Sequence, residues 1–207
     1  MIISKRIPIL RKVVSFVSES LITKKAIASG LKELTKKKSF DKITIQDITD
    51  ICGLNRQTFY YHFQDKYELV DWIYYNEAIS IIINDLTYEN WDKKVLQMLA
   101  KMKSEDYFYK DTLKSSTENG FKDYLFHIAS ELFLNIVGRL AVNENFGEDE
   151  KKFISEFYAF GIVGVITSWA QHGMKETPEY ITMQLINVSY GTQKYAASRF
   201  VEKTYKI

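Results

Sequence analysis

Apolar residues in this chain recur at spacings of three and four, and no segment alternates long enough to form a strand, so the pattern predicts an all-α protein. Ile27, Leu31 and Leu34 place one stripe on a helix over residues 23–38, with lysines on the opposite side and in its last turn. Ser39 to Lys42 form a linker, in which Phe40, with Ile43 just beyond, is expected to turn inward. Thr44 then stands three positions before Asp47 and just ahead of Ile48 and Ile51, which is how a short helix begins. Cys52, Gly53 and Leu54 end that helix, and Gly53 is suited to the left-handed conformation of a sharp turn. Asn55 caps the next helix, whose inward stripe is Phe59 and Phe63, and Asp65 caps the one after it.

Beyond Leu69 the segments lengthen. Residues 65–86 read as one helix burying Leu69, Trp72, Ile73, Ile79, Ile82 and Ile83. Glu89, Asn90 and Trp91 open another, with Val95, Leu96, Leu99 and Met102 along one face, and residues 106–113 form a shorter one containing Tyr107, Phe108 and Tyr109. A break at Asn119 and Gly120 precedes a helix over 121–142 that ends near Asn143, Glu144 and Asn145. Residues 148–172 are helical up to Gly173. Thr177, Pro178 and Glu179 start a last helix running to about Arg199. The expected organisation is an N-terminal extension (1–22), a three-helix domain (23–70) and a larger helical domain (71–207).

Charge sharpens this division. Residues 1–70 hold 13 Lys and Arg against 7 Asp and Glu, whereas residues 71–207 hold 15 against 19, so the half with the short helices is the one suited to a polyanion. The single cysteine, Cys52, excludes an internal disulfide and a cysteine zinc site. His62, His127 and His172 are scattered, and there is no phosphate-binding glycine loop or nucleophile elbow, so no metal, cofactor or catalytic constellation is expected. Arg11 and Lys12 interrupt the apolar N-terminus, which argues against a signal peptide, and no run approaches the roughly 18 uninterrupted apolar residues of a membrane span. Three readings of residues 1–22 stay open: a basic arm along DNA, a helix packed on the body, or a start codon assigned too early. A poorly ordered or loosely packed segment is expected.

The segment over 44–69 is a helix-turn-helix in physical terms. Arg56, Gln57 and Thr58 occupy the first turn of its second helix, where side chains enter the major groove; Arg reads guanine and Gln reads adenine. Tyr60, Tyr61 and His62 carry polar tips suited to phosphate, as does Lys66, which stands in a helix first turn where a cation is unfavourable. The ordered run Cys52, Gly53, Leu54, Asn55, Arg56, Gln57, Thr58, Phe59, Tyr60, Tyr61, His62, Phe63, then Lys66, Glu68 and Leu69, resembles the DNA-binding domain of TetR-type regulators. It departs from the usual pattern at Asn55, where Ser is common, and at Gln57, where Gly is frequent. The resemblance implies phosphate contacts from Thr44, Asn55, Tyr61, His62 and Lys66, and base contacts from Arg56, Gln57 and Tyr60. For Tyr60, packing against the first helix stays equally open.

The helix over 148–172 is apolar around most of its circumference and has Gly161 and Gly164 three apart, so it needs cover on both sides. It resembles the paired-helix dimer bundle of the same family, with Phe160, Gly161, Gly164, Val165 and Trp169 at the interface. Trp91, Met102, Phe108, Phe121, Tyr124 and His127 are candidates for an effector pocket, though each also suits an ordinary core. Over residues 19–77 the chain is most similar to regulators of dihydroxyacetone kinase operons, which implies a partner protein as an alternative to a small-molecule effector. The expectation is a cytoplasmic, homodimeric repressor of TetR type on a palindromic double-stranded DNA operator, with no membrane partner. A partner-gated activator is the alternative.

Overall fold

The structure, a computed structural model, describes residues 7–115, 120–140 and 147–189, and for residues 7–18 and 140 the backbone alone. The expected break at Asn119, the Asn143 to Asn145 cluster, the end of the last helix near Arg199 and the first six residues lie outside this range. The described residues contain helices and no strand, as the spacing predicts. They fall into two compact units that divide between Ile73 and Tyr74.

In the first unit α1 (Ile7–Thr35) leads through a 3-10 turn (Phe40–Lys42) to α2 (Ile45–Cys52), α3 (Arg56–His62) and α4 (Lys66–Ile73). Residues 7–22 of the N-terminal extension belong to α1, whose backbone is helical without a break into the 23–35 region. The core of the unit is Ile27, Leu31, Phe40, Ile43, Ile48, Phe59, Phe63 and Leu69, all essentially inaccessible to solvent. Helix α1 meets α2 at Gly30: a Cβ there would collide with Cys52 Sγ and sit 3.0 Å from Ile51 Cγ2. The Cys52 thiol donates to the Ala26 carbonyl at 3.4 Å, and burial pushes its ionisation upward.

In the second unit a π-helical turn (Tyr74–Ile79) and α5 (Ser80–Ile83) are followed by α6 (Trp91–Ser104), α7 (Asp106–Ser115), α8 (Gly120–Leu140), α9 (Glu148–Gln171) and α10 (residues 178–189). The π turn changes which residues are buried. Steps of four along the stripe become a step of five between Ile73 and Ala78, so the stripe runs Leu69, Ile73, Ala78, Ile82 and leaves Ile83 exposed, against expectation. Asp85, in the left-handed region at φ 58°, then turns the chain. An aromatic cluster of Tyr74, Phe108, Tyr109 and Phe121 fills the core beside this turn, with the Tyr74 hydroxyl donating to Thr112 Oγ1 at 2.7 Å.

Helix α9 packs on α8 and α7. By length and composition it is apolar enough to cross a membrane, but Ala159, Val163, Ile166 and Ala170 are buried within this unit, as in a core helix. It ends at Gly173 (φ 98°), after which the Thr177 hydroxyl accepts the Tyr180 N–H at 3.2 Å and caps α10.

Gly30→Ala is expected to destabilise the protein by about 1–3 kcal/mol through overpacking, and Cys52→Ala in the same chain to recover part of that loss. Chemical denaturation of the two variants against wild type checks both; full stability of the single variant would mean that α1 and α2 do not approach this closely.

Candidate nucleic-acid interface

Each short helix of the first unit is set by local chemistry. At the start of α2 the Thr44 hydroxyl accepts the Asp47 N–H at 3.1 Å while the Asp47 carboxylate accepts the Thr44 N–H at 2.7 Å, a reciprocal capping box. Lys38 Nζ lies 2.7 Å from the same carboxylate; this contact and the Thr44 bonds hold Asp47 well below the usual carboxylate range. Gly53 ends α2 in the left-handed conformation (φ 64°), with its N–H on the Asp50 carbonyl at 3.2 Å and the Leu54 N–H on the Thr49 carbonyl at 2.9 Å. Asn55 then caps α3: its Oδ1 accepts the Thr58 N–H at 2.8 Å and the Thr58 hydroxyl at 3.0 Å.

The periodicity of α3 sorts its side chains. Phe59 and Phe63 point inward, and Thr58 and His62 are half-buried at the flanks. Arg56, Gln57, Tyr60 and Tyr61 form the outward face, Tyr61 at 67% exposure. An outward face that begins at the helix N-terminus with Arg and Gln has the donors and acceptors to read base edges, and its tyrosine hydroxyls suit phosphate. Tyr60 is half-exposed beside Arg56 and stacks edge-on against Phe59 at 5.8 Å. His62 sits edge-on to Tyr61 at 4.9 Å, and burial together with the nearby Lys24 charge lowers its pKa, so it faces this surface as a neutral imidazole at pH 7.

Lys66 departs from the sequence expectation. Its ammonium donates to the carbonyls of Phe40 at 2.8 Å, Asp41 at 3.2 Å and Ile43 at 3.0 Å, and lies 4.5 Å from the Phe40 ring centroid. An ammonium has three N–H donors, and here all three are directed to the end of the 3-10 turn, so this geometry ties α4 to the α1–α2 linker instead of offering a phosphate ligand. The cation at the start of α4 is offset by these carbonyls and by Asp65, whose Oδ1 accepts the Tyr67 and Glu68 N–H groups at 2.8 and 2.9 Å. The tether spans 23 to 26 residues of sequence, which no local pattern announces.

In the second unit the candidate effector residues lie in different settings. Met102, Phe108 and Phe121 are fully buried core, Tyr124 and His127 are exposed, and Trp91 lines a small apolar cavity of about 30 Å³ with Ile82, Val95, Leu125, Phe133 and Ile166. Among the residues expected at a dimer face, Phe160, Gly161, Gly164 and Val165 are exposed on one side of α9. Trp169 is a correction: it is 5% exposed and its indole N–H donates to the Glu176 carbonyl at 3.1 Å, because it belongs to the inward stripe with Ile166 and Ala170. Sequence reasoning missed Phe153 on the exposed side and Val188 on α10; Phe157, Phe160, Val165, Leu185 and Val188 line an apolar groove of about 570 Å³.

A capped helix-turn-helix with a polar outward face, followed by a separate helical unit, defines a DNA-binding regulator. Family models agree: that described as "Bacterial regulatory proteins, tetR family" matches residues 27–73, and that described as "Transcriptional regulator C-terminal region" matches residues 89–191. The chain belongs to the TetR family of transcriptional regulators. A curated relative, the HTH-type dhaKLM operon transcriptional activator DhaS of Lactococcus lactis subsp. lactis (strain IL1403), is 33% identical over 91 residues, 44% of this chain and 49% of that protein. The chain thus aligns with about half the length of this relative. The solved structure of a dihydroxyacetone kinase operon activator, DhaS, superposes with a TM-score of 0.65 at 25% identity, covering 84% of this chain and 98% of the other. A TetR transcriptional regulator from Streptococcus agalactiae 2603V shares the fold at TM-score 0.54 and 18% identity, over the same shares.

Lys66→Ala is expected to lower the unfolding midpoint while leaving the dependence of DNA affinity on salt unchanged, since its ammonium is spent within the protein. A salt slope reduced by about 1 would instead assign it to a phosphate.

Proposed function

We propose that this regulator binds a palindromic double-stranded operator as a homodimer in the cytoplasm, reading bases with Arg56 and Gln57 and holding phosphates with Thr44, Asn55, Thr58, Tyr61 and His62. Tyr60 completes the surface. The outward face of α3 is the observation that carries this reading: in it the polar side chains cluster at the helix N-terminus while Phe59 and Phe63 hold the other side in the core. Two copies meet through the exposed side of α9 and the adjoining groove of α10, because an apolar stripe of Phe153, Phe157 and Phe160, exposed at 71%, 67% and 65%, needs cover. An effector acting on residues 74–207 shifts the dimer between arrangements of unequal DNA affinity, and operator occupancy represses transcription. A second reading is activation gated by a partner protein; the matches to the operon activator DhaS support the activation in it.

Binding of the purified protein to DNA upstream of its own gene, followed by fluorescence anisotropy over a salt series with scrambled DNA as control, tests the function. Tight, sequence-dependent binding is expected; equally weak binding to both DNAs would refute an operator there. A reporter under that operator separates the two readings, since loss of the protein raises expression under repression and lowers it under activation.

Two substitutions test the surfaces. Arg56→Ala is expected to cost about 1–3 kcal/mol on the cognate site with relaxed preference at one base pair, measured on single-base-pair variants of the operator. A Cβ at Gly164 meets nothing within 4 Å among the described residues, so Gly164→Leu is expected to leave folding intact and weaken self-association. Sedimentation equilibrium reads the result, and an unchanged mass with unchanged affinity would remove α9 from the interface.

A further inference from the structure

We propose that Tyr60 is a positioning residue that sets the base preference of Arg56, an inference that rests on the DNA-binding reading of α3. The two side chains stand one turn apart on its exposed face. Arg56 Nη2 donates to the Tyr60 hydroxyl at 3.3 Å, and the guanidinium carbon lies 5.8 Å from the Tyr60 ring centroid, within cation–π reach. Tyr60 is oriented in turn by the core, because its ring meets the fully buried Phe59 ring edge-on, at 5.8 Å and 88° between planes. Among the described residues Arg56 makes no ion pair, so the tyrosine is what restrains it.

That restraint matters for recognition. A free arginine side chain holds about 2 kcal/mol of rotamer entropy, whereas two parallel bonds to a guanine O6 and N7 demand one plane and one reach. The bond to Tyr60 occupies one of five guanidinium N–H groups and leaves four for the groove. Tyr60 keeps its own hydroxyl proton, so holding Arg56 leaves it a donor toward DNA. The base pair that Arg56 reaches is therefore selected by where Tyr60 holds it, and the loss of Tyr60 blurs the preference at that pair.

The test uses the full chain and an operator selected with it from random DNA. Affinities of wild type, Arg56→Ala, Tyr60→Phe, Tyr60→Leu and Arg56→Ala/Tyr60→Leu are measured on the operator and on each single-base-pair variant, over a salt series. Arg56→Ala is expected to lose roughly ten- to hundredfold discrimination at one base pair. Tyr60→Leu should lose about tenfold at the same pair, add nothing in the Arg56→Ala background and keep the wild-type salt slope. Tyr60→Phe, which retains the ring, should keep part of the discrimination. Uniform weakening of Tyr60→Leu on all DNA with a lower salt slope, or additive losses in the double variant, would overturn the proposal and make Tyr60 an independent contact. Full discrimination by Arg56→Ala would instead overturn the base-reading role beneath it, and the two failures are told apart by that single variant.

Discussion

Burial of Phe59 and Phe63 decides what α3 can do. A helix of seven residues is too short to persist in water on its own propensity. Placing two aromatic side chains at 0% and 2% exposure, each worth about 1.5–3 kcal/mol of burial, ties the helix to the unit and fixes its rotation about its axis. Once that rotation is fixed, the directions of Arg56, Gln57, Tyr60 and Tyr61 follow. The cap at Asn55 and the left-handed Gly53 set where the helix starts, and Lys66 secures the neighbouring linker from across the unit. Several modest interactions thus converge on the orientation of one short segment.

The second unit is built on another principle. Its interior is a dense aromatic and aliphatic core around Tyr74, Tyr109, Phe121 and Phe133, and its longest described apolar helix, α9, has two unlike sides. One carries Ala159, Val163, Ile166 and Trp169 into that core, while the other presents phenylalanines and glycines that stay exposed among the described residues. A helix apolar on both sides has a low amphipathic signal, which is why its sequence calls for cover all round without saying which residue faces which way. Trp169 shows the difficulty: at i+8 from Gly161 it stands near the exposed stripe, yet its indole N–H finds a carbonyl inside the unit.

What was legible in the sequence was local. Thr44 with Asp47, Gly53, Asn55, Asp65 and Thr177 each act within three or four residues, so caps and turns could be placed from composition alone. The inward pair on α3 and the alternation of exposed and buried positions around it were equally readable. Interactions between distant positions were not. The carbonyls that receive Lys66 lie far from it in sequence, and the collision that requires Gly30 comes from Cys52 on another helix. The π turn was hidden for a different reason: one added residue in a single turn changes the phase of everything after it, moving Ile83 outward and Ala78 inward without altering composition. Effector candidates could not be singled out because an aromatic residue that could line a chamber serves equally well in a packed core, where Phe108 and Phe121 are buried.

The outward face of α3 has a consequence for how such a protein diversifies. Arg56, Gln57, Tyr60 and Tyr61 are exposed, and of the four Tyr60 meets the core, edge-on to Phe59, so replacing the others changes the surface offered to DNA at little cost in stability. The bond between Arg56 and Tyr60 qualifies that freedom, because a change at one alters the surroundings of the other. Lineages descended from this chain would therefore be expected to drift singly at Gln57 and Tyr61 but to exchange residues 56 and 60 together, as a unit of inheritance smaller than the helix that carries them.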